Sequence, residues 1–348
     1  MLAVNKDMNF VNYLSEFTDD VGIFQHSKYG IPDRNHGYTT DDNARALILA
    51  VMLYEKFESE SYLKLIRKYL SFVLHALNDK GMFKNFMNYQ REFLEIQGSE
   101  DCFGRCIWAL GRTISSPVVP TNIKNTCNFI LKQATKGIKT ITYPRAKTYT
   151  IVGLTLLEPS KQTRDIIETL SMSLVKLYKI NKDENWHWFE DSLTYGNAFF
   201  PRAMFCAYEL LGDACYLEVG KESMDFLESI VMKPDFFKPI GCNGWLVKGS
   251  KAAAYDEQPI EACEMLYAYM EYYDVTKNKK YLSGALKCFE WYLGKNSKNV
   301  SLIQEETGAC YDGISEDGLN LNQGSESIVS YGMAVMGASK VKLLFENK

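Results

Sequence analysis

Carboxylates stand in front of helical runs along this chain as Asp41 and Asp42, Glu100 and Asp101, Glu190 and Asp191, Asp256 and Glu257, and Glu326. Crowded carboxylates push one another's proton affinities apart, so that one stays protonated as an acid while another stays ionised as a base. Hydrolysis of a glycosidic bond requires such a pair. The same segments carry Arg34, His36, Tyr38, Arg145 and Lys147, together with Trp186, His187, Trp188 and Trp245. Indole faces suit the apolar face of a pyranose, and charged, amide and phenol groups hold its hydroxyls.

Environment sorts the acids. Glu190 follows Trp186, Trp188 and Phe189 and precedes Asp191, a setting expected to favour the protonated form that a general acid needs. Asp41 and Asp42 lie at a helix start, where the dipole and backbone N–H groups favour the charged form of a base. Asp42 is the first choice for activating water, with Asp41 or Glu257 as substitutes. Each acid also has a structural reading. One of Asp41 and Asp42 can serve as an N-cap, Glu257 before Gln258-Pro259 can serve the helix dipole, and Glu326 can complete a cap with Ser325. The four histidines are His26, His36, His75 and His187. If His36 and His187 faced each other they could remove and return a proton on a sugar carbon, which is epimerase or isomerase chemistry.

Six polar junctions position these groups: 39–43, 99–101, 143–145, 190–192, 256–258 and 323–326. Each runs into a helix poor in charge and rich in Ala, Gly and Cys, at 44–54, 103–110, 148–157, 198–211, 260–273 and 328–341. Helices apolar nearly all round are surrounded by protein, and Trp108 and Trp291, within helices, are expected in the core. Between them lie one-sided helices, at 9–17, 62–77, 121–135, 163–180, 213–231 and 278–294. In 62–77, for instance, Leu65, Ile66, Tyr69, Leu70 and Val73 form a 3.6-residue stripe opposite Lys64, Arg67 and Lys68. Alternating buried and one-sided helices predict an all-α (α/α)6 toroid of six helical hairpins, one domain over 1–348, with small β elements in its rim loops. All six junctions are expected on one rim, sharing a cavity.

Composition excludes other classes. A net charge of -4 offers no basic face to nucleic acid. The nine cysteines, odd in number and mostly single among apolar residues, read as reduced thiols. Cys102 and Cys106 lack a companion pair with zinc-like spacing, so neither a metal nor a cofactor is expected. The segment 1–20 lacks a leader pattern, and the longest apolar run, 46–54, is too short to span a bilayer. The expectation is a cytoplasmic protein whose partner is a small carbohydrate, with no nucleic acid and no membrane.

With this pattern in view, the chain resembles the six-hairpin glycosidase-like superfamily over nearly its whole length. Two stretches are more specific: His36-Gly37-Tyr38-Thr39-Thr40-Asp41-Asp42-Asn43-Ala44-Arg45-Ala46-Leu47 and Trp188-Phe189-Glu190-Asp191-Ser192-Leu193-Thr194-Tyr195-Gly196-Asn197-Ala198. They are similar to a poorly characterised bacterial group found near or fused to glycosyltransferases and mannoside-processing enzymes. The resemblance implies the handling of glycosides, mannosides among them, and it supplies no catalytic residue by analogy.

The expected catalytic set is therefore Glu190, Asp42, Asp41, Asp191 and Glu257. Substrate binding is expected from Arg34, His36, Tyr38, Asp101, Arg145, Lys147, Trp186, His187, Trp188, Tyr195, Asn197, Trp245 and Glu326. A glycoside hydrolase acting by inversion is the leading function. The alternatives are an epimerase and a non-catalytic carbohydrate-binding protein.

Overall fold

The computed structural model describes residues 8–346. Among them the chain forms twelve α-helices and eight short strands. The backbone divides into two compact units: a first over Asn12–Thr163, and a second of the residues up to Val11 together with those from Arg164 onward.

The first unit takes most of α1 (Phe10–Glu16), then α2 (Thr40–Phe57), α3 (Glu60–Ala76), α4 (Glu100–Ser115), α5 (Thr121–Ile138) and α6 (Pro144–Thr155). The second takes most of α7 (Lys161–Asn181), then α8 (Phe199–Leu211), α9 (Ala214–Val231), α10 (Pro259–Thr276), α11 (Lys280–Tyr292) and α12 (Ser325–Glu346). The even-numbered helices are the charge-poor series expected to be buried, and the odd-numbered ones are the one-sided series. In the first unit α4 packs between α2 and α6; in the second α10 packs between α8 and α12. One-sided α3 and α5 lie against α2 and α4, while α9 and α11 lie against α8 and α10.

Local chemistry sets the helix ends. Thr39, in extended conformation, caps α2 by accepting from Asp42 N, and Ser99 caps α4 by accepting from Cys102 N. α8 stops at Gly212 with φ 78°, and α10 stops at Lys277 in the left-handed region. Pro144 and Pro259 begin α6 and α10, where a missing N–H costs nothing. Five of the six buried helices start one to four residues before the expected apolar runs, because polar junction residues form the first turn, while α8 starts one residue after its expected run.

Small residues let α4 and α6 touch backbone to backbone. A Cβ at Gly111 would lie 2.0 Å from the Gly153 carbonyl oxygen, and one at Gly153 would lie 2.6 Å from the Ile107 oxygen. α12 is long and apolar enough by length and composition to cross a membrane, which the run-length reading missed, but 67% of that stretch is buried within the protein. That is the condition of a core helix. Trp108 and Trp291 are buried, as expected. All nine cysteines are free thiols, and seven are buried.

The strands make four antiparallel pairs: β1 (Ser27–Lys28) with β2 (Ile31–Pro32), β3 (Tyr38–Thr39) with β4 (Phe86–Met87), β5 (Ser192–Leu193) with β6 (Leu246–Val247), and β7 (Gly313–Ser315) with β8 (Gly318–Asn320). Two of these ribbons position functional loops. β3–β4 ties the first junction to the loop holding Asn85, and β5–β6 ties the segment after Glu190 to the excursion holding Trp245.

Candidate functional site

In the second unit four separated segments converge. Lys248 N donates to the Asp191 carbonyl at 2.8 Å, and Ser192 and Leu193 pair with Val247 and Leu246. This ribbon brings Tyr195 beside Trp245, ring centroids 6.3 Å apart. Tyr195 is exposed and Trp245 half-buried, so both rings offer surface to a ligand. Trp245 holds φ 58° and Asp256 φ 53°, left-handed conformations that cost a non-glycine residue free energy and are often kept at functional sites. The excursion between them closes on itself through Cys242 N to the Asp256 carbonyl at 3.0 Å and Ala253 N to the Trp245 carbonyl at 2.8 Å. Gly196 N, at the end of the first segment, donates to Glu261 Oε1 at 2.7 Å in the first turn of α10. Burial, and after it the negative charges of Asp256, Glu261 and Glu326, push the Cys242 thiol up. Asp256 and Glu326 are half-buried and Glu261 is buried.

Asp312 holds the start of α12. Its Oδ1 accepts from Gly324 N at 2.7 Å and from Ser327 Oγ at 2.6 Å, which satisfies donors at the helix N-terminus on either side of Glu326.

The first unit gathers a different set. Arg105 on α4 forks, with Nη1 to Asp41 Oδ2 of α2 at 2.5 Å and Nη2 to Tyr149 Oη of α6 at 3.1 Å. Arg45 Nη2 binds Asp42 Oδ1 at 2.7 Å and stands 3.8 Å from Asp41. Arg145 is buried, and Lys147 is half-buried with its pKa lowered by burial against the charge of Glu100. Glu100 itself accepts from Thr142 N and Tyr143 N at 2.6 and 2.8 Å, which ties down the segment leading into α6.

Several expected roles are corrected. Both Asp42 oxygens are engaged, one by Thr39 Oγ1 at 2.6 Å and one by Arg45, and the residue is 5% exposed. A carboxylate so neutralised holds a helix start and is a poor base. Glu257 is fully buried, with Oε2 accepting from Trp291 Nε1 at 2.8 Å and Oε1 from Ser297; it is a structural clamp. Trp188 is fully buried against Phe189, Phe200 and Phe226, and Trp186 packs edge-on to Phe226 with 5% exposure, so neither has a face for a sugar. Trp186 Nε1 donates to the Glu190 backbone carbonyl at 2.7 Å, and Glu190 is half-buried. Tyr38 is buried, its hydroxyl spent on Asp19 Oδ2 at 2.5 Å, and its pKa is raised by burial and by that carboxylate.

The remaining expected residues are placed as follows. Arg34 lies over the Tyr89 ring at 5.4 Å. His36 meets His26 edge-on at 4.8 Å, with Asp33 3.7 Å away. His187 leans on Phe226 at 6.1 Å. Asn197 donates to the Thr194 carbonyl at 2.6 Å, and its Oδ1 is buried without a partner among the described residues. Asp101 is half-buried in the first turn of α4, and Asp191 is exposed. Sequence reasoning missed Arg105, Cys242 and Glu261. The signal for Arg105 and Glu261 was available: a charge on a helix with no wet face must be buried, and a buried charge needs a partner. Among the described residues no group of three His, Cys, Asp or Glu side chains is arranged to hold a metal.

No protein-family model matches the chain, and no curated protein matches it in sequence. Solved structures do. A sugar epimerase from a ruminal bacterium aligns with TM-score 0.75 at 12% identity, over 97% of this chain and 98% of its own. A D-mannose isomerase gives 0.72 at 13%, over 98% and 96%. The GH76 α-mannanase of Bacteroides thetaiotaomicron gives 0.69 at 11%, over 99% and 97%. Likeness at this identity carries architecture and nothing finer. Over nearly its whole length, this chain shares the all-α (α/α)6 fold of these solved structures.

Proposed function

We propose that the chain is a carbohydrate-active enzyme that hydrolyses a glycosidic bond in a small oligosaccharide, mannosides among the candidates. The observation that carries this reading is the open Tyr195–Trp245 pair on a ribbon whose Gly196 N–H binds Glu261, with Asp256 and Glu326 near enough for their charges to act on the Cys242 thiol. Asp256 and Glu326, half-buried and on different segments, are assigned the proton transfers, one as acid and one as base. Carboxylates carried by separate loops leave room for a water, which favours inversion. Glu261, bound to the Gly196 N–H, is a positioning residue for the loop that carries Tyr195 and Asn197. Glu190 and Asp191, on the same ribbon, are assigned to sugar hydroxyls, as is Trp245 to the ring face. The free state of all nine cysteines supports a reducing, cytoplasmic setting.

Proton NMR of the purified chain with gluco- and manno-oligosaccharides tests this. New reducing-end signals are expected, reduced by on the order of 10²–10⁴ in rate in Asp256→Asn and Glu326→Gln. Full turnover in both variants would remove the assignment.

An epimerase or isomerase reading has its own support, because such structures align as fully as the mannanase does. His187, half-buried against Phe226, would be a proton carrier in that reaction. In D2O it requires deuterium on a sugar carbon and no new reducing end, and loss of that exchange in His187→Ala. Line broadening without any product would mark a binding protein.

A further inference from the structure

In the second unit two half-buried lysines share one aromatic ring. Lys238 Nζ lies 5.0 Å and Lys298 Nζ 4.6 Å from the ring centroid of Tyr255, the residue before Asp256. We propose that Lys238, Lys298 and the Tyr255 hydroxyl hold an oxyanion carried by the substrate, so that the sugar bears a carboxylate or a phosphate group. The step from this site to the substrate rests on the hydrolase reading, through the neighbouring Asp256.

Three turns bring these groups together. After α9, Met232 pairs with Phe237, and Lys238 N donates to the Val231 carbonyl at 2.8 Å, which returns Lys238 to the helix end. After α11, buried Asn296 donates to the Trp291 and Val300 carbonyls at 2.8 and 2.7 Å and accepts from Lys298 N at 3.2 Å, which fixes the backbone at Lys298. The Tyr255 carbonyl lies against residue 241, where glycine leaves room; a Cβ there would stand 1.8 Å from that oxygen.

Charge narrows the ligand. Glu257 stands 4.0 Å from Lys238 Nζ and feels the charge of both lysines, so it offsets one positive charge of the two. Its oxygens already accept from Trp291 Nε1 and Ser297 Oγ. Among the described residues no other carboxylate oxygen comes within 4.0 Å of either ammonium group. Lys298 Nζ donates to the Glu316 carbonyl at 2.8 Å, whereas Lys238 Nζ and Tyr255 Oη make no hydrogen bond among the described residues. The ring face stabilises both ammonium groups without taking their protons. An excess positive charge and uncommitted donors therefore meet at one ring that is half-open to solvent. An oxyanion answers both needs, through charge-assisted hydrogen bonds about twice as strong as neutral ones. A neutral sugar leaves the charge unmatched, and a cation is repelled. Lysine binds an anion as a point charge, so carboxylate and phosphate both fit.

The test is calorimetric titration of the full chain with two pairs of sugars. Methyl β-glucuronide is set against methyl β-glucopyranoside, and methyl α-mannopyranoside phosphorylated on its primary hydroxyl against the unmodified glycoside. At least one acidic sugar is expected to bind about tenfold or more tighter than its neutral counterpart, the worth of a hydrogen bond to a charged group; which one does so separates carboxylate from phosphate. Inorganic phosphate should compete with the acidic sugar, and raising the ionic strength from about 0.1 M to about 1 M should shrink the preference. In Lys238→Gln and in Lys298→Gln the ratio should fall about fivefold or more. Lys298 bonds only a backbone carbonyl, so its variant should keep the wild-type unfolding temperature even if removal of Lys238 disturbs Glu257. Equal affinities within both pairs, or a preference undiminished in Lys298→Gln, would overturn the proposal. A preference for the acidic sugar without release of any reducing end would remove hydrolysis and leave this site, whereas turnover of neutral oligosaccharides without that preference would do the reverse.

Discussion

The Trp291 indole N–H donates to Glu257 Oε2 at 2.8 Å, and both residues are fully buried. Burial lifts the Glu257 carboxyl above the usual carboxylate range, while the hydrogen bonds of Ser297 and Trp291 and the charges of Lys238 and Lys298 oppose the lift. Because the folded state holds this proton more tightly than the unfolded one, the carboxyl's contribution to stability is complete below about 4.5 and is lost as pH rises through the folded value. Wild type should therefore gain on Glu257→Gln as the pH falls from about 7 toward about 4.5. Urea midpoints at several pH values check this, and a constant difference between the two proteins would refute it. Glu257→Ala, which strands the indole N–H and the Ser297 hydroxyl, should cost about 2–4 kcal/mol.

Arg105 reaches two helices at once, so its shape matters as much as its charge. Lysine cannot meet Asp41 and Tyr149 together. Arg105→Lys is expected to lose about 2 kcal/mol and Tyr149→Phe about 1 kcal/mol. Arg105→Ala, which leaves the half-buried Asp41 carboxylate with Arg45 at 3.8 Å as its nearer cation and the Tyr149 hydroxyl without the guanidinium, should lose about 3 kcal/mol. In a double-mutant cycle by denaturant unfolding, Arg105 and Tyr149 should show a coupling; strict additivity would mean that the 3.1 Å bond contributes nothing.

Two glycines, one within a helix and one at a helix end, should differ severalfold in their response to alanine. Gly111→Ala sets a methyl 2.0 Å from the Gly153 oxygen and must push α4 and α6 apart, a loss of at least about 3 kcal/mol or failure to fold. Gly212→Ala meets nothing within 4 Å and carries only the strain of φ 78°, about 1 kcal/mol. Thermal unfolding of the pair decides it, and equal losses would count against backbone contact between those helices.

Trp188 and Trp245 separate packing from binding. Trp188→Ala should destabilise by about 3–5 kcal/mol, as for a large fully buried aromatic. Trp245→Ala should unfold within about 1 kcal/mol of wild type, yet weaken oligosaccharide binding measured by calorimetry. A Trp245 variant that binds sugar normally would take the aromatic platform out of the site.

Much of the architecture was legible along the chain because helix periodicity is a local property. The stripe Ile66, Tyr69, Leu70 and Val73 marks a one-sided helix, and the charge-poor runs mark buried ones. The glycines of α4 and α6 could be counted, but which backbone each one meets could not be. The six polar junctions were legible for the same reason, since each is a cap followed by a helical run. Their roles were not. Asp41 and Asp42 are adjacent and alike, yet one is spent on Thr39 and Arg45 while the other receives Arg105 from 64 residues away.

What the sequence by itself determined is the alternation of twelve helices, the charge-poor character of every second one and the acids at their starts. What only the tertiary structure decided is which of those acids faces which partner. Glu257 and Glu261, four residues apart, went to an indole clamp and to a loop amide respectively. Trp188 and Trp245, both in loops, went to the core and to an open ring pair. The physical reason is that hydrophobic periodicity acts over neighbouring residues, whereas a side chain's proton affinity, exposure and partner are set by groups brought from distant parts of the chain.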